Sequence, residues 1–88
     1  MRIEFAKSLS GHDKNQYYLI LEKAGRFAYL ADGKTHTMDC PKKKNEKHYQ
    51  IVKNIPKDIL EQLKEIESLT DDIIYRAVRA YERSVNKQ

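Results

Sequence analysis

The chain has 88 residues, enough for one domain and too few for two. It carries 17 Lys and Arg against 13 Asp and Glu, with pI near 9.2, an excess that permits a nucleic-acid partner but falls short of a strongly basic tail. Cys40 is the only cysteine, which excludes an intrachain disulfide, and the longest apolar stretch, Tyr17 to Leu21, is far below signal or membrane-spanning length, so the expectation is a soluble cytoplasmic protein.

In chain order, Ile3, Phe5 and the residues up to Leu9 read as a first strand with imperfect alternation. Ser10 to Asn15 is a loop of turn formers. Gln16 to Lys23 is rich in aromatic and β-branched residues and reads as a second strand. Ala24 and Gly25 make a tight connection to Arg26–Ala31, which alternates cleanly. Asp32-Gly33 is a strong two-residue hairpin signal, with both residues expected at positive φ, so Lys34 to Met38 is predicted as the returning strand. Pro41 and the lysine run then form a loop anchored at both ends, presenting its charge outward. His48 to Val52 follows as a fifth strand.

Near Lys53 the period becomes helical. Pro56 suits a first helical turn, and Ile59, Leu60, Leu63 and Ile66 make one apolar stripe. Ser68 or Thr70 caps a second helix, with Asp71 and Asp72 at its positive end. Its stripe is Ile73, Ile74, Ala77, Val78, Tyr81 and Val85, and its outer face holds Arg76, Arg79, Glu82 and Arg83. Five short strands in about fifty residues favour a small barrel over an open sheet. The predicted fold is mainly β with α: a five-stranded barrel over residues 1–53 and a helical extension over 54–88 packed on it.

Charge is unevenly placed. Residues 1–52 hold ten basic and six acidic side chains, whereas residues 53–88 hold seven of each, so the net excess lies in the N-terminal part. Lys42, Lys43, Lys44 and Lys47 face only Glu46 within the segment Cys40–His48. Such a run supplies phosphate contacts that give affinity and orientation without sequence information. The Gly11-His12-Asp13-Lys14-Asn15 loop exposes backbone N–H groups and sets His12 and Lys14 at its tip. Gly11 allows a sharp bend, and Asp13 can close an Asx turn. Tyr49, His48, Tyr17 or Tyr18, where exposed, would stack on an unpaired base. The bland readings are a solvated lysine loop and half-buried barrel tyrosines.

Three segments together resemble the bacterial KOW-domain proteins related to the KOW-type large-subunit ribosomal proteins of archaea and eukaryotes. They are Gly11, Asp13 and Lys14 in the first loop, Ala31-Asp32-Gly33-Lys34 at the hairpin, and Pro41-Lys42-Lys43-Lys44 with Lys47-His48 after it. The resemblance covers about residues 4–50. It implies an SH3-like barrel that binds RNA, with ribosomal RNA or the ribosome as the expected partner, and so a role in translation. RNA rather than DNA follows from the resemblance alone. It adds Lys34 to the candidate RNA-binding set of Gly11, His12, Asp13, Lys14, Asn15, Lys42, Lys43, Lys44, Lys47 and His48. The family places glycine directly after the loop lysine, where this chain has Asn15, which tolerates positive φ better than other non-glycine residues.

Catalytic readings fit poorly. His36, Cys40 and His48 match no ordinary zinc spacing and supply only three ligands. Cys40 precedes a proline with no oxyanion donor in view, and His12-Asp13 are adjacent in a turn rather than arranged as base and orienter. Three glycines leave no room for a P-loop or dinucleotide fingerprint. The expectation is a non-catalytic RNA-binding module without metal or cofactor. The alternative is a protein-interaction adaptor that uses the barrel or the C-terminal helices, with Arg76, Arg79 and Arg83 on the outer face.

Overall fold

In the computed structural model, which describes residues 3–86, the chain forms one antiparallel sheet of five strands followed by two helices. The strands are β1 (Glu4–Ser8), β2 (Tyr17–Ala24), β3 (Phe27–Ala31), β4 (Lys42–Asn45) and β5 (Tyr49–Val52), in the spatial order β4-β3-β2-β1-β5. The sheet is curled into a half-barrel, with β4 and β5 as its two edges.

Alternation explains how so short a sheet buries both faces. Phe5, Leu19 and Ala31 point to one face and Ala6, Tyr18, Ile20, Ala28 and Leu30 to the other. The second set packs with Tyr49 and Ile51 from β5 into a cluster that includes no helix residue. The first set packs against the helices α1 (Lys57–Lys64) and α2 (Asp71–Asn86) through Ile59, Leu63, Ile74, Ala77, Val78 and Tyr81. Tyr81 stacks on Phe5 with ring centroids 5.4 Å apart and meets Tyr17 edge-on at 5.0 Å. Burial raises the pKa of the Tyr81 phenol. Helices and strands therefore share one core, and the apolar stripe of α2 is mostly spent on the sheet. Leu60 and Val85, both placed in the predicted stripes, are instead exposed. At the start of α2 the Thr70 hydroxyl accepts from the Ile73 N–H at 3.2 Å, with Asp71 and Asp72 in the first turn.

Three elements differ from the expectation. Lys34 to Met38 is not a strand, and the lysine run is not a loop: Lys42–Asn45 is itself the fourth strand and pairs with β3. The reason lies at Gly33. Its φ is +79°, but Asp32 stays at negative φ, so the two-residue hairpin turn does not form. Asp32 Oδ1 instead accepts the N–H groups of Lys34 and His36, both at 2.9 Å, in an Asx-type turn. A Cβ on Gly33 would sit 2.2 Å from the Asp71 carbonyl oxygen and 2.6 Å from the Tyr75 nitrogen, so the chain here lies directly on the first turn of α2. The Met38 N–H donates to Asp71 Oδ1 at 2.9 Å. The segment 32–40 thus wraps over the helix end before the chain returns to the sheet. His48 likewise belongs not to β5 but to a single 3-10 turn, Glu46–His48, that links the two edge strands.

Candidate nucleic-acid interface

The β1–β2 connection is a tightly bonded loop. The Asn15 N–H donates to the Ser8 carbonyl at 2.8 Å and the Gln16 N–H to the Asp13 carbonyl at 2.9 Å. Gly11 has φ +88° and Asn15 φ +74°. Asn15 therefore takes the left-handed conformation, which asparagine tolerates better than other non-glycine residues.

This geometry turns Asp13 inward. Only 9% of the residue is exposed, and its carboxylate accepts from four side chains. Oδ1 receives Ser8 Oγ and Lys44 Nζ, each at 3.0 Å; Oδ2 receives the Tyr18 hydroxyl at 2.8 Å and Lys42 Nζ at 3.1 Å. Burial would by itself raise the carboxyl pKa. The hydrogen bonds from Tyr18, Lys44, Lys42 and Ser8 outweigh it and hold the group well below the usual carboxylate range. Tyr18 responds oppositely: burial, then its bond to Asp13 and the charges of Asp13 and Asp32, push its phenol far up. Asp13 is thus a saturated acceptor, with no lone pair left for a metal or for base chemistry.

Both lysines reach Asp13 because of strand period. Lys42 and Lys44 lie opposite Leu30 and Ala28, whose side chains belong to the second cluster, whereas Lys43 lies opposite Tyr29. Lys44 is 8% exposed and also donates to the Ser10 carbonyl at 3.2 Å. The ion cluster ties edge strand β4 to the β1–β2 loop and closes that end of the half-barrel without strand pairing. Lys43 points outward, its ammonium 4.4 Å from the centre of the Phe27 ring.

The 3-10 turn completes the surface. Asn45 caps it by accepting the Lys47 N–H at 2.9 Å. The Leu9 N–H donates to the His48 carbonyl at 2.9 Å, and Ser10 Oγ lies 3.0 Å from His48 Nδ1. His12 and Lys14 at the loop tip and Lys47 and His48 on the turn therefore border one rim, and all four are exposed.

The candidate residues do not form one surface. Gly11, His12, Lys14, Asn15, Lys47 and His48 share the loop-and-turn rim, and Lys43 stands on the outer face of β4. Lys34 is exposed but lies apart, beside Gln16 and Arg79. Asp13 and Lys44 are buried and paired with each other and Lys42 is only partly open, so the Lys44 ammonium, expected to face outward, is instead turned in on Asp13. Tyr18, considered above as a stacking group, is 2% exposed and turned inward. Ser8 and Tyr18 as partners of Asp13 escaped the sequence reading. The signal was present in the alternation: both fall on the same strand faces as Ala6 and Ile20. Among the described residues no cluster of His, Cys, Asp and Glu is arranged to hold a metal, and no helix is long and apolar enough to cross a membrane. Neither the protein-family models nor the curated proteins contain a match to this chain.

Proposed function

We propose that the protein is a non-catalytic RNA-binding module of the SH3-like KOW type, acting in the cytoplasm on the structured RNA of the ribosome. The observation that carries this is the rim formed by loop 10–15 and turn 46–48. It joins the loop that carries His12 and Lys14 to the turn that carries Lys47 and His48 through the Leu9–His48 and Ser10–His48 bonds, and Asp13 ties that loop to β4. A pre-bonded loop meets a phosphate with little ordering cost, so its cations contribute more than equal charges on a mobile tail. Lys43 extends the positive surface along β4. Lys42 and Lys44 act through Asp13, holding the loop in shape.

Binding to ribosomal subunits and to a structured ribosomal RNA fragment across a salt series tests this reading. Four phosphate contacts give a log–log slope of about −3. Lys14→Glu with Lys47→Glu should lower affinity at least tenfold and flatten the slope by about 2, with the circular dichroism spectrum unchanged. Retained affinity in that variant, with folding intact, would remove the rim from the binding surface.

A further inference from the structure

The second edge strand carries a separate surface. The Leu9 N–H bonds the His48 carbonyl, and β1 and β5 pair with Ser8 opposite Tyr49 and Phe5 opposite Val52. In an antiparallel ladder bonded pairs alternate, so Gln50 and Val52 turn their backbone groups to β1. Tyr49 and Ile51 turn theirs outward. Among the described residues nothing pairs with that edge. Beside it runs an open groove of about 840 Å³ between β5, the 53–56 segment and α1. Its floor is Ile3, Ile51, Val52, Ile55, Leu60 and Leu63, and Leu60 is 37% exposed.

The charges along this edge choose its occupant. Lys53 directly follows β5 and lines the groove together with Lys57. Glu4 is neutralised by Lys23 at 2.8 Å, which leaves Glu61 and Glu46 as the nearby acids. A second copy is disfavoured. Antiparallel self-pairing that sets Tyr49 against Ile51 runs Lys53 of each copy into the 3-10 turn that carries Lys47 in the other, so cations meet at both ends. An extended acidic segment meets no such repulsion. We infer that the β5 edge receives an extended protein segment of alternating acidic and apolar residues by strand addition, its main chain bonding Tyr49 and Ile51 and an apolar side chain entering the groove beside Leu60. This surface starts where His48 ends and runs away from loop 10–15, so it leaves the rim open.

The probe is a capped synthetic heptapeptide, Glu-Val-Glu-Leu-Glu-Val-Glu, titrated into the intact labelled protein and followed by amide resonances. Shifts and slowed hydrogen exchange are expected at the Tyr49 and Ile51 amides. Two further peptides separate the contributions. N-methylation on the strand-facing residues removes the ladder and keeps the side chains, and should abolish binding. Lysine in place of glutamate should weaken it at least tenfold. In the protein, Leu60→Glu changes an exposed position and should also weaken binding at least tenfold while the unbound spectrum stays folded. Equal binding of the N-methylated or the lysine peptide would overturn the inference. So would shifts confined to loop 10–15, or displacement of the peptide from β5 by RNA.

Discussion

Removing the Asp13 carboxylate tests the central device of this protein. In Asp13→Ala, Lys44 remains at 8% exposure with only the Ser10 carbonyl as acceptor, and the buried Tyr18 hydroxyl loses its partner. Lys42, whose side chain is 29% exposed, can turn to water and adds little. Leaving one buried charge unpaired costs about 3–5 kcal/mol. Set against the roughly 5–15 kcal/mol that holds a small domain together, that is a large share, and a melting temperature lowered by more than about 12 °C. The companion variant Lys44→Met removes the charge and keeps the volume. Asp13 then retains Lys42, Ser8 and Tyr18, so this single change should cost less than Asp13→Ala. The double variant should be more stable than Asp13→Ala alone, with a coupling of about 1–3 kcal/mol between the two sites. Urea unfolding followed by circular dichroism measures all three. If Asp13→Ala cost less than about 1 kcal/mol, or if the two single effects simply added, the cluster would not be what closes this end of the sheet.

Acid should act through the same group. Its pKa is lower folded than unfolded, where it stands at about 3.9, so the unfolded chain takes up the proton first. The stabilisation is complete above that unfolded value and fades as pH falls towards the folded one. The wild type should therefore lose stability steeply below about pH 4, and Asp13→Asn should show a flatter acid limb; parallel limbs would contradict the assignment. Gly33→Ala and Gly25→Ala both place a Cβ at positive φ, but only Gly33 faces backbone, at 2.2 Å from Asp71. Gly25→Ala should cost about 1–2 kcal/mol and Gly33→Ala clearly more, readable from paired thermal melts. Thr70→Ala should cost about 1 kcal/mol through loss of the α2 cap, and amide exchange should rise first at Ile73.

Local pattern carried β1, β2, β3 and both helices, because their side chains alternate or recur with the period of the element they form. Gln16–Lys23 and Arg26–Ala31 were legible as strands, and the observed β2 and β3 lie within a residue of them. Pro56 and Thr70 marked the helix starts for the same local reason. The rim was legible in part: Lys14, His12, Lys47 and His48 are indeed exposed, as turn-forming and charged residues ordinarily are.

The fourth strand was a different matter. Three consecutive lysines and an asparagine carry no strand propensity and no apolar alternation, so nothing local could place Lys42–Asn45 in the sheet. That placement depends on β3 offering an open edge and on Asp13, more than twenty residues earlier, standing where Lys42 and Lys44 arrive. The Asp32-Gly33 signal failed for a related reason, since the close approach of α2 decided the conformation of that turn. By itself the sequence determined which segments were strand or helix wherever their own side chains supplied the burial. Tertiary structure decided which of its charges face solvent and which neutralise one another, because a buried ion pair is stable only when both partners reach the same place, and no sequence spacing encodes that meeting.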